Sequence, residues 1–363
     1  MRVVVKIGTS SLTDEGGRIA ADAVAKVAAE VTAARGAGHQ VVVVTSGAIS
    51  AGLPPLGLDG RRPTDLPTLQ AVAAVGQHRL MATWDAAFSA RGVVPGQVLL
   101  APLDFVHRQQ YLHARQTLER LLELGVVPVV NENDAVADDE IRFGDNDRLA
   151  ALVAHLLSAD LLVLLTDTAG LLTADPRLDS GASLIEEVRE VDASLELLAT
   201  AGGSERGSGG MASKLAAAKM AAWSGVRAVI AAAARDDVVG GAIAGTPGVG
   251  TVVRARERRL PARKLWIAFA LAPAGTIVVD DGAKAALVER GRSLLPAGVV
   301  GIVGSWDAGA AVEVATPGDG VFAKGLARHP SALVAQWAGA RTTELPEDVD
   351  PEVVHRDDLV VLP

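Results

Sequence analysis

Residues 2–10 read Arg-Val-Val-Val-Lys-Ile-Gly-Thr-Ser. A run that is apolar on consecutive residues, broken only by Lys6, is a strand covered on both faces, not one half open to water. The segments after it repeat the pattern. Residues 19–35 carry Ala and Val at helical spacing and end at Gly36 to Gly38; Gln40 to Thr45 is again a continuous apolar strand. Helical periodicity then spans 68–90, 108–124, 146–158 and 211–224, and short apolar strands cover 93–100, 126–130, 161–165 and 227–231. Strands alternating with helices of this length predict an α/β fold, a parallel sheet sandwiched by helices. Such sheets bind ligands at the carboxyl ends of their strands, so the residues just after each strand are the ones to read for chemistry.

The chain has 363 residues, 49% hydrophobic but only 3% aromatic, so its core is built from Ala, Val and Leu. The formal net charge of −9 disfavours a protein whose main work is neutralising phosphate backbones. With no cysteine, disulfides, thiolate metal sites and cysteine nucleophiles are excluded, and a cytoplasmic setting is expected. The N-terminal apolar run is too short for a signal peptide, and no stretch approaches the roughly 20 apolar residues of a membrane helix.

The α/β rhythm breaks after residue 250. Residues 254–264 hold six basic groups and one acid, and beyond Gly275 the segments shorten into strands at 276–279, 299–303, 311–314 and 321–324, with one helix at 283–290. The expected organisation is a domain over 1–255, a basic linker over 256–274, a smaller, mostly β domain over 275–350 and a tail over 351–363.

Four post-strand segments carry chemistry. Lys6 beside Gly8 offers a mobile ammonium and accessible backbone N–H groups to a polyphosphate, although alone it also reads as a surface lysine. Thr45-Ser46-Gly47-Ala48 is either an ordinary N-cap or an open helix N-terminus for a carboxylate or phosphate. Between Asn131 and Asp147 fall seven carboxylates and three amides, a density that suits recognition of an ammonium group. An acidic surface loop is the alternative, but the calcium-loop spacing is absent. Thr166-Asp167 follows a strand, and Gly207-Ser208-Gly209-Gly210-Met211-Ala212-Ser213-Lys214 opens a helix. The second run lacks Walker A spacing yet offers glycines, a helix N-terminus and a lysine to a nucleotide phosphate. The seven histidines show no ligand spacing, and no Ser-His-Asp order is apparent. A carboxylate acceptor is already ionised at neutral pH, so phosphorylating it needs positioning and charge neutralisation but no general base.

Together these residues resemble the amino acid kinase family. The resemblance rests on Val-Val-Lys-Ile-Gly-Thr-Ser (4–10), Val-Thr-Ser-Gly-Ala-Ile (44–49), Pro-Val-Val-Asn-Glu-Asn-Asp-Ala-Val (128–136), Phe-Gly-Asp-Asn-Asp (143–147), Leu-Thr-Asp (165–167), Gly-Leu-Leu-Thr-Ala-Asp-Pro-Arg (170–177) and Gly-Gly-Met-Ala-Ser-Lys (209–214). Residues 280–283 and 291–296 resemble a PUA domain, a β-rich module. The resemblance implies ATP-dependent phosphorylation, with Mg2+, of the side-chain carboxylate of L-glutamate, the first step towards proline. It implies that Lys6 and Lys214 neutralise the moving phosphoryl group and that Asp147 orients them. Ser46, Asp134 and Asn146 would hold glutamate. Lys6, Gly8, Thr166, Asp167 and Ser208, Gly209, Gly210, Met211, Ala212, Ser213 and Lys214 would hold ATP. No protein metal ligand is expected. L-Proline is the expected feedback inhibitor and a homo-oligomer the expected assembly. The alternatives are a kinase of the acetylglutamate or aspartate type, or an RNA-binding PUA protein. Seven basic against thirteen acidic residues over 275–363 disfavour the RNA reading.

Overall fold

The computed structural model describes all residues except 15, 59–61, 106, 137–145, 176, 178, 180, 202–209, 258, 270, 347–348 and 363. The chain forms two compact units, Met1–Arg259 and Leu260–Pro363.

The first unit is built on eight strands: β1 Arg2–Ile7, β2 Gln40–Val44, β3 Pro95–Leu100, β4 Val127–Glu132, β5 Leu161–Thr166, β6 Glu187–Val188, β7 Arg227–Ala232 and β8 Thr251–Val253. Their order across the sheet is β3-β4-β2-β1-β5-β7-β8-β6. Pairing is parallel from β3 to β7, with Lys6 opposite Val44 on one side and Leu164 on the other. The expected parallel sheet is therefore present, with one departure. β8 runs antiparallel to β7, and the two-residue β6 pairs parallel to β8. These two strands are too short for a periodicity to be read.

Strand alternation sorts the side chains of β1. Val3, Val5 and Ile7 share one core with the helices Ala21–Gly36, Leu66–Ser89 and Val238–Ala244. Val4 and Lys6 project to the opposite face. There the helix Asn146–Leu156 covers β1, and the helix Met211–Trp223 packs beside it. Val3, Val4 and Val5 are all fully buried, as a strand covered on both sides requires.

The helix Leu66–Ser89 fixes the loop after β2. Trp84 Nε1 donates to Thr45 Oγ1 over 3.0 Å. Gly76 meets the short helix Ala48–Gly52 backbone to backbone: a Cβ at Gly76 would stand 1.7 Å from the Ala48 carbonyl oxygen and 2.5 Å from the Gly52 nitrogen. Gly47, at φ +107°, makes the turn that a side chain would oppose.

The second unit holds β9 Gly275–Val279, β10 Val299–Gly304, β11 Ala311–Thr316, β12 Gly320–Ala327 and β13 Val354–Val361, in the order β10-β9-β11-β12-β13. Ile277, Trp306, Val312, Phe322 and Leu359 are among its core residues. Two expectations are corrected here. Residues 354–361 are not a tail but a strand of this sheet, with Val354, Leu359 and Val360 buried. The expected basic linker over 256–274 is in part a packed element: the helix Ala262–Phe269 lies on β12 and β13 with Leu265 and Ile267 fully buried. Lys324 donates to the Ala268 and Leu271 carbonyls at the end of that helix, the position where an ammonium group is favoured. The basic run is also largely paired, Arg254 with Glu187, Arg256 with Glu190 and Arg263 with Asp358.

The Gly76 contact gives a direct test. Gly76→Ala should destabilise the protein by about 3 kcal/mol or more in urea unfolding, because backbone cannot yield as a side chain does. Gly36→Ala, where a Cβ meets nothing within 4 Å among the described residues, should be neutral or stabilising by up to about 1 kcal/mol.

Candidate functional site

At the carboxyl end of β1, Lys6 reaches Asp147, the second residue of the helix Asn146–Leu156; Nζ lies 2.5 Å from Oδ1. Lys214, in the first turn of the helix Met211–Trp223, approaches the other carboxylate oxygen, Oδ2, at 3.2 Å. Ser213 Oγ lies 2.8 Å from the same oxygen and 3.0 Å from the Gly210 carbonyl. All three charged residues are buried, with 3% of Lys6, 4% of Lys214 and none of Asp147 exposed. Burial pushes the Asp147 carboxyl up, but Lys6, Lys214 and the Ser213 hydroxyl outweigh it and hold it below the usual carboxylate range. One carboxylate thus fixes two ammonium groups, and the trio carries a surplus positive charge facing the end of the sheet.

The neighbouring strands add to this centre in sheet order. On the β5 side, Thr166 is buried and donates to exposed Asp167 over 3.0 Å. Gly8 lies so close to the lysine that a Cβ there would stand 3.3 Å from Lys6 Nζ. Among the described residues, Gly210 caps the helix Met211–Trp223 with no side-chain bond, and a Cβ there would meet nothing within 4 Å. An open helix N-terminus followed by Lys214 is suited to a phosphate. Ser208 and Gly209 lie outside the described residues. Ser213, an expected nucleotide contact, donates its hydroxyl to Asp147.

On the other side lie β2 and β4. Ser46, after β2, is 8% exposed. Asn131 and Glu132 end β4 and are buried, and the turn Asp134–Val136 packs against the helix Leu66–Ser89. Asn131 Nδ2 donates to Gln77 Oε1 of that helix over 2.8 Å. Asn146 leaves its buried Oδ1 without a hydrogen-bond partner among the described residues. Burial pushes the Asp134 carboxyl up to about 6, with the Arg62 guanidinium partly offsetting it. Strand order therefore separates two groups: amides, a hydroxyl and a carboxylate around β4 and β2, and glycines, a threonine and a helix N-terminus around β1 and β5. The lysine pair stands at the divide. Residues 137–145, including Gly144 and Asp145, lie outside the described residues, as do most of the glycine run. Sequence reasoning assigned no role to Gln77, whose only hint was a polar residue on an apolar helical stripe with Ala73, Leu80 and Trp84. Among the described residues no group of three His, Asp or Glu could hold a metal ion, and no helix is long and apolar enough to cross a membrane.

The chain is similar to known proteins over most of its length. The amino acid kinase family model matches residues 1–232 and the PUA domain model residues 275–346. A glutamate 5-kinase of Frankia casuarinae is 48% identical, covering 99% of this chain and 96% of that protein. Glutamate 5-kinases of Nocardia farcinica and Moorella thermoacetica are 47% and 44% identical, each over the same shares. Among solved structures, carbamate kinase from Giardia lamblia bound to AMP-PNP superposes with a TM-score of 0.51. Its 17% identity spans 70% of this chain and 98% of that one, a likeness of fold.

The raised Asp134 carboxyl predicts a pH-dependent cost. Between about pH 4 and 6 the folded protein keeps a proton that the unfolded chain has released, so the stability this group contributes in acid is lost as pH rises through 6. Asp134→Asn should stabilise the free protein by ~1–3 kcal/mol at pH 7.5, and by less than about 1 kcal/mol at pH 4, in urea unfolding at both values.

Proposed function

The chain belongs to the amino acid kinase family, and from that premise we infer that it transfers the γ-phosphoryl group of ATP to the side-chain carboxylate of L-glutamate, the entry to proline biosynthesis. The observation that carries the reading is the buried Asp147 carboxylate holding Lys6 and Lys214 together at the carboxyl ends of the central strands. A carboxylate oxygen of glutamate forms the new bond to phosphorus while the bond to the bridging oxygen of ADP breaks. The acceptor is ionised at neutral pH, so no residue needs to remove a proton. The chemical demand is neutralisation of negative charge around the moving phosphoryl group, and two fixed ammonium groups meet it without rearranging.

In this proposal Gly8, Thr166, Asp167 and the segment 208–214 seat the nucleotide. A helix N-terminus at Gly210 that has no side-chain cap among the described residues fits a polyphosphate. Mg2+ arriving with ATP would supply further charge neutralisation beside Lys6 and Lys214. Ser46, Asp134 and Asn146 seat glutamate. Neighbouring strands are about 4.8 Å apart, so β4 and β1 are separated by roughly 10 Å. An extended glutamate, about 5 Å from Cα to its side-chain oxygens, spans that distance with a hydrogen bond at each end. The near-full-length glutamate 5-kinase relatives disfavour the acetylglutamate, aspartate and RNA-binding alternatives. The cytoplasm is the proposed location and a homo-oligomer the proposed assembly, which light scattering of the purified protein reads directly.

Proline keeps the α-nitrogen and α-carboxylate of glutamate without the reacting group, so it is proposed to inhibit by occupying the same seat. Initial rates at several proline levels should show inhibition that glutamate overcomes; inhibition undiminished at saturating glutamate would place proline elsewhere. The reaction itself is tested by glutamate-dependent ADP release. Lys214→Ala should lower kcat by ~10²–10⁴ with a smaller change in the KM for glutamate. A variant with normal kcat and only a raised ATP requirement would remove Lys214 from the reacting centre.

A further inference from the structure

Asn131, which is buried, and Gln77, which is half-buried, form a pair of amides whose hydrogen bonding is half complete among the described residues. Asn131 Nδ2 donates to Gln77 Oε1 over 2.8 Å, while Asn131 Oδ1 and Gln77 Nε2 are both buried without a partner among the described residues. Asn131 is 1% exposed. Buried polar groups are nearly always satisfied, so an adjacent open acceptor and open donor call for a specific occupant. Turning both amides over exchanges which residue carries which open group but still leaves one of each.

The location indicates the occupant. Asn131 ends β4, which pairs with β2 just before Ser46, and the Asp134 turn packs on the same helix that carries Gln77. Gln77 follows Gly76, whose backbone touches that of Ala48 in the loop after β2. Both amides therefore belong to the β4–β2 side, two strands away from Lys6. An α-amino acid presents one cationic donor and one anionic acceptor on a single carbon, the complement of the two open groups.

We propose that Gln77 is a specificity-determining residue that reads the α-carboxylate of the acceptor through its free Nε2–H, while the Asn131 carbonyl, beside Asp134, accepts from the α-ammonium. The inference rests on the assignment of an amino acid acceptor made above. It adds a residue from the long helix to the seat and makes the head group, not only the reacting end, a condition for binding.

Calorimetric binding to the full chain tests it, using L-glutamate and L-isoglutamine, whose α-carboxylate is replaced by a carboxamide. Gln77→Glu keeps an acceptor for Asn131 Nδ2 but sets a carboxylate where the free N–H was. L-Glutamate binding should weaken ~10²-fold, the scale of one lost charge-assisted hydrogen bond plus repulsion, while L-isoglutamine, which can donate, changes by less than about 3-fold. Gln77→Met, of similar volume and uncharged, guards against misfolding and should weaken L-glutamate ~10-fold with nucleotide affinity unchanged. Equal losses for both ligands, tighter L-glutamate binding in Gln77→Glu, or wild-type affinity in Gln77→Met would each overturn the proposal, as would a wild-type protein that binds no L-glutamate. Intact binding without glutamate-dependent ADP release would instead overturn the proposed reaction and leave the head-group assignment standing.

Discussion

A single carboxylate with no exposed surface, shared by two nearly buried ammonium groups, is the constraint on which the first unit is organised. Removing three charges from water is costly, and the arrangement holds only because Asp147 lies within ion-pair distance of both lysines. Without the carboxylate, Lys6 and Lys214 would repel each other in a dry setting. Each partner comes from a different element: a strand end, the first turn of one helix and the first turn of another. The sheet register and the packing of the helices Asn146–Leu156 and Met211–Trp223 must both be right for the trio to exist. A negative group near a helix N-terminus is itself favourable, which helps to explain why Asp147 can be buried so completely.

The same sheet divides the work. Strand order sets amides and carboxylates on one side of the lysines and glycines with an open helix end on the other. That division follows from topology: β1 stands between β2 and β5, so whatever follows β2 and whatever follows β5 must flank whatever follows β1. Residues far apart in the chain become neighbours spaced by the width of a strand.

Much of this was legible in the sequence because it is local. The Val3–Ile7 run, the glycines at 36–38 and 125 that close two helices, and the lysines beside glycine turns are short-range patterns. The unread parts depend on distant partners. Nothing in Thr251–Val253 announces a strand, since three residues gain their structure from β7. Val354–Val361 carries charges at 356–358 that mask its strand character, yet Val354, Leu359 and Val360 fill a core. The basic run 254–264 reads as solvated until its carboxylate partners at 187, 190 and 358 are known. Gln77 is a lone polar residue on the apolar stripe of its helix; only a strand end 54 positions later gives it meaning. Asp147, by contrast, was identified from family resemblance, although the burial that gives it its force is a property of packing alone.

The contact between Gly76 and Ala48 has a mechanical consequence. Side chains act as compliant pads between elements, since rotamers can shift to absorb small displacements. Here two backbones touch with no pad between them, and the Trp84 indole pins Thr45 further along the same helix. The 24-residue helix Leu66–Ser89, about 36 Å long, and the loop carrying Ser46 therefore behave as one stiff strut. That side of the site, the one carrying Ser46, is rigid by construction.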